Sequence, residues 1–235
     1  ILANKQVNAG KYQKIDEVPF DFTRRRLSVV VDGSGRRILL TKGAPEEVAR
    51  ICSTYELQGK TSTLSSQIRE TIKEQFEELS SKGFRVLGVA YKEITAKSEY
   101  SVADESDMVF LGFVTFLDPP KKPAKESLRL LSKAGVQVKI LTGDNELVTK
   151  NVCGQLDFEI KGIVLGDEIS KLNDDALARV VERANIFARV TPQQKNRILN
   201  ALHRNGHVVG FLGDGINDAP SMKTADVGIS VDNAV

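Results

Sequence analysis

From residue 124 to residue 231, strand-length apolar runs and helical patterns take turns along the chain, and this alternation is the strongest constraint on its fold. A helix over 124–134 opens beside Pro123, which suits a first-turn position, and Gly135 stands just past its end. A strand over 136–141 follows, then a helix over 146–156. A helix over 174–184 feeds a strand over 186–190. Thr191 caps the next helix and Pro192 takes its first position, with Ile198, Leu199 and Leu202 facing inward. A strand over 207–212, a short helix over 219–224 and a strand over 227–231 complete the series. Such an order predicts a doubly wound sheet of parallel strands.

The earlier half follows another rhythm. Residues 27–32 and 37–42 are apolar, β-branched runs joined through Gly33-Ser34-Gly35, a hairpin signal. Ile68, Ile72, Phe76 and Leu79 recur at steps of four, four and three, which places them on one face of a helix over 65–82 that Gly83 ends. Residues 84–91 read as a buried strand and 96–107 as a polar loop. The expected fold is α/β in two parts: an α+β domain with an antiparallel sheet over 1–112, then the parallel domain over 113–235, with Pro119-Pro120 as a hinge. No repeat or low-complexity tract is visible.

Composition removes several classes. Against 33 basic residues stand 31 acidic ones, a net charge of +2, which argues against broad nucleic-acid wrapping but allows a local anion pocket. A hydrophobic fraction of 41% can fill a core, so global disorder is excluded. The longest nearly apolar run, Met108–Leu117, is about half of the ~20 residues a bilayer span requires, and a soluble piece is expected. Ile1 opens with neither an initiator methionine nor a basic-then-apolar leader, which reads as the interior of a longer protein. Cys52 and Cys153 lie too far apart in sequence for a zinc pair and fit a reducing compartment. His203 and His207 flank Asn205-Gly206, where a helix should end, and read as surface residues.

Ligands of open parallel sheets sit outside the carboxyl ends of the strands, and three polar clusters fall there. Leu141-Thr142-Gly143-Asp144 follows the 136–141 strand, and Gly213-Asp214-Gly215-Ile216-Asn217-Asp218 follows the 207–212 strand. Arg189 and Lys195 border the 186–190 strand. These types suit phosphoryl transfer. A carboxylate such as Asp214 can hold Mg²⁺, Lys195 can neutralise phosphate oxygens, and the Thr142 hydroxyl can bond to them. Taken singly, Thr-Gly-Asp and Gly-Asp-Gly are ordinary turns and Lys195 an ordinary helix face. The longer string ending Asn217-Asp218-Ala219-Pro220 crowds two acids, an amide and two glycines into one loop, more than a turn needs.

Lys42-Gly43-Ala44-Pro45-Glu46, Asp118-Pro119-Pro120, Thr142-Gly143-Asp144 and Gly213-Asp214-Gly215-Ile216-Asn217-Asp218-Ala219-Pro220 occur in the order found in P-type cation-transporting ATPases, which the chain resembles along essentially its whole length. Residues to about 112 resemble the nucleotide-binding domain, truncated at its start. The rest resembles the later part of the phosphorylation domain, of the haloacid-dehalogenase-like fold. Pro19-Phe20-Asp21-Phe22-Thr23-Arg24-Arg25-Arg26 and Leu141-Thr142-Gly143-Asp144-Asn145-Glu146-Leu147-Val148 are similar to the magnesium-transporting branch, as are Lys121 after the double proline and Leu212 before Gly-Asp-Gly.

By position, the resemblance implies that Phe22 stacks on the adenine of ATP and Lys42 lines that pocket. It also implies that Arg24 and Arg85 contact the nucleotide phosphates, that Gly143 joins the nucleotide site and that Arg189 lies near the ribose. One aromatic face and several cations suit a purine polyanion, although Phe22 in a core and Arg24–Arg26 at a solvated strand end describe the same residues. Thr142 and Lys195 match residues that grip an aspartyl phosphate, Asp214 the Mg²⁺ ligand, and Asn217 and Asp218 its supporting partners. The family's Asp-Lys-Thr-Gly-Thr string is absent from the 235 residues, so this piece should bind ATP and Mg²⁺ without turnover. Its expected partners are the actuator and membrane domains of a parent pump, whose cytoplasmic face it would occupy. Because the nucleophile strand is central in the family's sheet, the parallel domain should carry unpaired edges. A soluble phosphatase of the same fold and a non-catalytic nucleotide module are the other readings. A Walker-type ATPase is excluded, for no Gly-Lys-Ser/Thr loop occurs.

Overall fold

The computed structural model describes residues 9–33, 35–213 and 218–230. Its contacts divide the chain after Leu117: one unit holds the residues up to Ser80 and Phe84–Leu117, the other Ser81–Gly83 and the residues from Asp118 onward.

In the first unit, β1 (Tyr12–Asp21), β2 (Arg26–Gly33), β3 (Arg36–Gly43), β4 (Cys52–Leu57), β5 (Lys60–Thr63), β6 (Phe84–Glu93) and β7 (Met108–Leu117) form one sheet in the order β1-β2-β3-β6-β7-β4-β5. The hairpin expected at residues 33–35 joins β2 to β3, with Gly33 opposite Arg36 and Gly35 at φ 76°. All pairings are antiparallel except β4 with β7. The apolar run 108–117 is thus β7, an inner strand paired with β6 and β4, whose Met108 and Phe110 enter the core while Leu111, Val114 and Leu117 stay exposed. The strand continues through Gly112, with a bulge at Leu111 where its pairing with β6 slips by one residue. Helices α1 (Pro45–Arg50) and α2 (Ser66–Ser81) cover one face. Val30, Leu39, Val48, Ile72, Ala90, Met108 and Phe110 make the core there, and Phe76 is buried on the same helix as Ile72. The strand expected to be wholly buried, β6, instead alternates between buried and half-buried residues, because only one of its faces meets the helices. Within the segment read as loop, Val102–Asp104 form a 3₁₀ turn, and Tyr100 and Glu105 on either side are buried.

The second unit contains α3 (Ala124–Lys133), β8 (Ile140–Leu141), α4 (Glu146–Gln155), β9 (Ile163–Leu165), α5 (Gly166–Ile169), α6 (Asp174–Arg183), β10 (Ile186–Ala188), α7 (Pro192–Arg204), β11 (Gly210–Gly213), α8 (Ala219–Thr224) and β12 (Val227–Ser230). Its strands are parallel, as the alternation predicts, but form two ladders, β8-β10-β9 and β11-β12, rather than one sheet. Two strands are shorter than expected. Only Ile140 and Leu141 of 136–141 pair with β10, while Lys139 turns its Nζ to the carbonyls of Val181 (2.5 Å) and Ala184 (2.9 Å). The 207–212 strand starts at Gly210, since the His207 N–H is taken by the Leu202 carbonyl and the Val209 N–H by the Asp226 carboxylate. Ile169, Leu177, Val181, Phe187, Ile198 and Leu202 form this unit's core, so the inward residues expected of α7 are inward. Thr191 caps α7 through a reciprocal pair of bonds with Gln194.

Candidate functional site

Of the residues singled out on the first unit, Phe22 and Arg24 lie in the turn between β1 and β2. Asp21 closes this turn by accepting the Thr23 and Arg24 N–H groups at 2.9 and 2.7 Å, and Arg25 takes a left-handed φ of 49°. Phe22 is 41% exposed and packs edge-on against Phe20, with ring centroids 5.2 Å apart. It is therefore not a core residue. Lys42, on β3, stands opposite Val89 of β6, and Arg85 lies four residues along β6 from Val89. Side chains alternate along a strand, so Lys42 and Arg85 share one face, and both are exposed. Arg24 goes elsewhere. Its Nη1 donates to both oxygens of Glu105 (2.9 and 2.7 Å) and its Nη2 to the Pro19 carbonyl (2.7 Å). Glu105 also accepts from Arg26 Nε (2.8 Å) and Ser28 Oγ (2.7 Å), on the buried face of β2. The arginine run is therefore not a solvated strand end; two of its members are consumed by a carboxylate with no exposed surface. Residue order alone offered no signal for Glu105, which lies in a polar loop 79 residues beyond Arg26.

On the second unit, the carboxyl ends of β8 and β10 are laced together. The Thr142 N–H donates to the Phe187 carbonyl, the Val190 N–H to Thr142 and the Arg189 N–H to Asp144, at 2.9, 3.0 and 2.9 Å. Thr142 Oγ1 accepts the Asp144 N–H at 3.1 Å, and Asn145 caps α4 by accepting from Leu147 and Val148. Gly143 is exposed, and among the described residues a Cβ there would meet only the Val190 carbonyl, at 3.9 Å. Packing among the described residues does not demand glycine at this point.

Thr191 follows Val190 directly and starts α7, whose Lys195 reaches Asp218 at the far end of β11; Nζ lies 2.7 Å from Oδ1, with side-chain exposures of 15 and 11%. At Gly213 a Cβ would come within 2.8 Å of the Asp218 Cβ, so the strand end passes Asp218 only as glycine. The structure thus brings Thr142 together with the β10–α7 junction and Lys195 together with Asp218. Asp214 and Asn217 lie outside the described residues. Among the described residues no group of three or more His, Cys, Asp or Glu could hold a metal ion. His203 and His207 are surface residues, as expected, each beside an acid: Asp226 at 3.0 Å and Glu182 at 2.8 Å.

Arg189 shows what residue order did not. Its φ is 56°, and its Nε donates to Glu146 Oε2 at 2.9 Å. Burial pushes the Glu146 carboxyl upward, but its own backbone N–H and the Arg189 guanidinium outweigh that and hold it below the usual carboxylate range.

Comparison with known proteins decides the family. The model of the P-type ATPase cytoplasmic domain N matches residues 2–123, more than half of the chain. The chain belongs to the P-type ATPases. It is 46% identical over 229 residues to the magnesium-transporting ATPase, P-type 1, of Escherichia coli K12, covering 97% of this chain and 26% of that protein. The Salmonella typhimurium LT2 protein of the same name is 45% identical over 229 residues, with 97% and 25% covered. A calcium-transporting ATPase of Bacillus subtilis is 32% identical over 232 residues, with 97% and 26% covered. The chain therefore spans about a quarter of the length of these relatives and is more similar to the magnesium-transporting ones. No helix among the described residues is long and apolar enough to cross a membrane.

Proposed function

We propose that the chain is the ATP-handling part of a cation pump: the first unit is a nucleotide-binding domain and the second the later part of a haloacid-dehalogenase-like phosphorylation domain. The observation that carries the reading is the Lys195–Asp218 pair, which ties α7, the helix that follows the laced loops of Thr142 and Arg189, to the carboxyl end of β11. A half-buried lysine held by a carboxylate is a cation fixed in place for phosphate oxygens. Gly143, whose glycine identity packing among the described residues leaves unexplained, lets an anion approach the backbone.

Family membership, together with identity to magnesium-transporting relatives, supports Mg²⁺ as the transported ion. In this reading Phe22 presents its exposed ring to adenine and Lys42 lines that pocket, Arg85 faces the phosphates, and Arg24, whose guanidinium is taken by Glu105, closes the turn that carries Phe22. Thr142 and Lys195 hold the transferred phosphoryl group, and Arg189 contacts the ribose. The catalytic Mg²⁺, which takes carboxylate and phosphate oxygens, fits the Gly213–Asp218 loop through Asp214, with Asn217 and Asp218 supporting it. When bound, the ion neutralises charge that builds on the phosphates. The acceptor aspartate comes from a segment of the parent protein outside these residues, since no Asp-Lys-Thr-Gly-Thr string is present. The parent protein would work at the cytoplasmic face of a membrane with its actuator and membrane domains.

Calorimetric titration with ATP and Mg²⁺ tests the reading. Saturable binding without phosphate release is expected, and Phe22→Ala should remove most of it. Steady phosphate release, or an acid-stable label from radiolabelled ATP, would sink the expectation that this piece binds without turnover.

A further inference from the structure

Arg189 is constrained from four directions. Its backbone sits at φ 56°, a region costly for any residue with a Cβ and kept only where its surroundings impose it. Its N–H is fixed by the Asp144 carbonyl. Its own carbonyl lies where a side chain on Gly166 would be, 2.3 Å from that Cβ position, so glycine at the start of α5 is what admits this turn. The fourth constraint is Glu146, 43 residues earlier, which takes the guanidinium by its Nε edge at 2.9 Å. Both side chains are about three-quarters covered, at 21 and 27% exposure, so the bond is shielded from water more than a surface ion pair. Glu146 is the first residue of α4, where the helix end favours a negative charge, and it directly follows the Thr142–Asn145 loop. A guanidinium so held is pre-set in one orientation instead of sampling many.

We infer that Glu146 is a positioning residue for nucleotide binding: it holds Arg189 in the pose that meets the ligand, while Gly166 and the Asp144 carbonyl hold the backbone beneath. This rests on the reading that Arg189 contacts ATP. Glu146 itself touches no ligand and acts through Arg189. The ligand class is a nucleoside triphosphate, and the contact made by the arginine is to its sugar.

A double-mutant cycle on the 235-residue chain, read by calorimetric titration with ATP and with 2′-deoxyATP, tests it. Glu146→Gln should weaken ATP binding roughly fivefold to tenfold, the size of one ordinary hydrogen bond, because Glu146 acts only through Arg189. It should also bring the two nucleotides closer in affinity. Arg189→Gln should weaken binding at least as much, and the double variant no further than Arg189→Gln alone, because the two act as one unit. The Arg189 Nε–H resonance of the unliganded chain should move in Glu146→Gln, which checks the ion pair independently of any ligand. Wild-type affinity in Glu146→Gln overturns the inference alone, and so do additive effects. A lowered urea midpoint with ATP affinity intact overturns it too, since that is the signature of a merely structural bond. A wild-type chain that does not bind ATP overturns the nucleotide reading itself and the inference with it.

Discussion

Five of the seven strands in the first unit have a partner on each side, whereas among the described residues of the second unit only β10 does. The antiparallel sheet tolerates a half-exposed face because α1 and α2 cover the other. Parallel strands ordinarily bury both faces, yet Leu212 of β11 and Val227 and Ile229 of β12 are at least half exposed. The second unit is thus the one whose sheet is incomplete within the described residues, and stability is expected to be unequal between the two. The first unit carries its own closure, while the second leaves backbone edges on β8 and β11 and an apolar face without cover in the described chain. The first unit should accordingly open less often than the second.

The largest effect is expected at Glu105. Glu105→Gln leaves Arg24 and Arg26 beside a neutral amide in a site without exposed surface, which costs about 3–5 kcal/mol, the range for breaking a buried pair. Urea unfolding followed by amides of β2 and β7 should show the loss confined to the first unit. A midpoint within a few tenths of a molar of wild type would mean that this network contributes little to closure.

Next come matched truncations, one per core. Leu39→Ala and Leu177→Ala each remove a fully buried leucine and should cost about 3 kcal/mol, within the range for such cavities. The two native cysteines report on each unit separately: Cys52 lies in the first core, its thiol pushed up to about 12 by burial, and Cys153 is fully buried on α4. A buried thiol reacts only when its surroundings open, so labelling rates follow local opening. Leu39→Ala should speed Cys52 alkylation by about a hundredfold and leave Cys153 unchanged, with Leu177→Ala doing the reverse. Equal acceleration of both thiols by either variant would show one cooperative structure rather than two.

Much of this arrangement was legible in the residues. Periodicity of four, four and three located the α2 face, the Gly-rich hairpin signal located β2 and β3, and strand–helix alternation predicted parallel pairing. The polar clusters placed Thr142, Lys195 and Asp218 at strand ends because loop chemistry is local in sequence. What stayed hidden depends on long-range partners. Nothing local marks Glu105 as the acid beneath Arg24 and Arg26, or Glu146 as the acid beside Arg189, since charged residues in a polar loop or at a helix start are most often solvated. Strand ends were also misjudged where backbone groups are taken by side chains, as at Val209, whose N–H goes to Asp226 instead of a ladder.

In the unmodified chain the comparison predicts a smaller but direct difference. Cys153 should be alkylated before Cys52 in native buffer, by a margin of several-fold, because among the described residues the second unit has fewer paired strands. Hydrogen exchange should rank the units in the same order. Equal protection of β7 and β10 amides in a monomeric chain would contradict the incomplete-sheet argument.

The smallest effect tests the join that keeps β11 and β12 in register. Asp226 accepts the Val209 N–H and bonds to His203, and its backbone N–H donates back to the Val209 carbonyl. The Val209 N–H bond, aided by His203, holds its carboxyl below the usual value of 3.8 against the opposing effect of burial. A carboxylate with a lowered folded value contributes stability that is fully present above the unfolded value and is lost as pH falls through the folded one. Acidification from pH 5 should therefore leave the β11–β12 ladder intact until below 3.8, where the Val209 amide signal shifts and its exchange quickens. The Asp226→Asn variant should show no such step, because its amide oxygen accepts from Val209 at every pH. Should the step persist in that variant, another acid controls the ladder, and the weakness of the second unit lies elsewhere than at this edge.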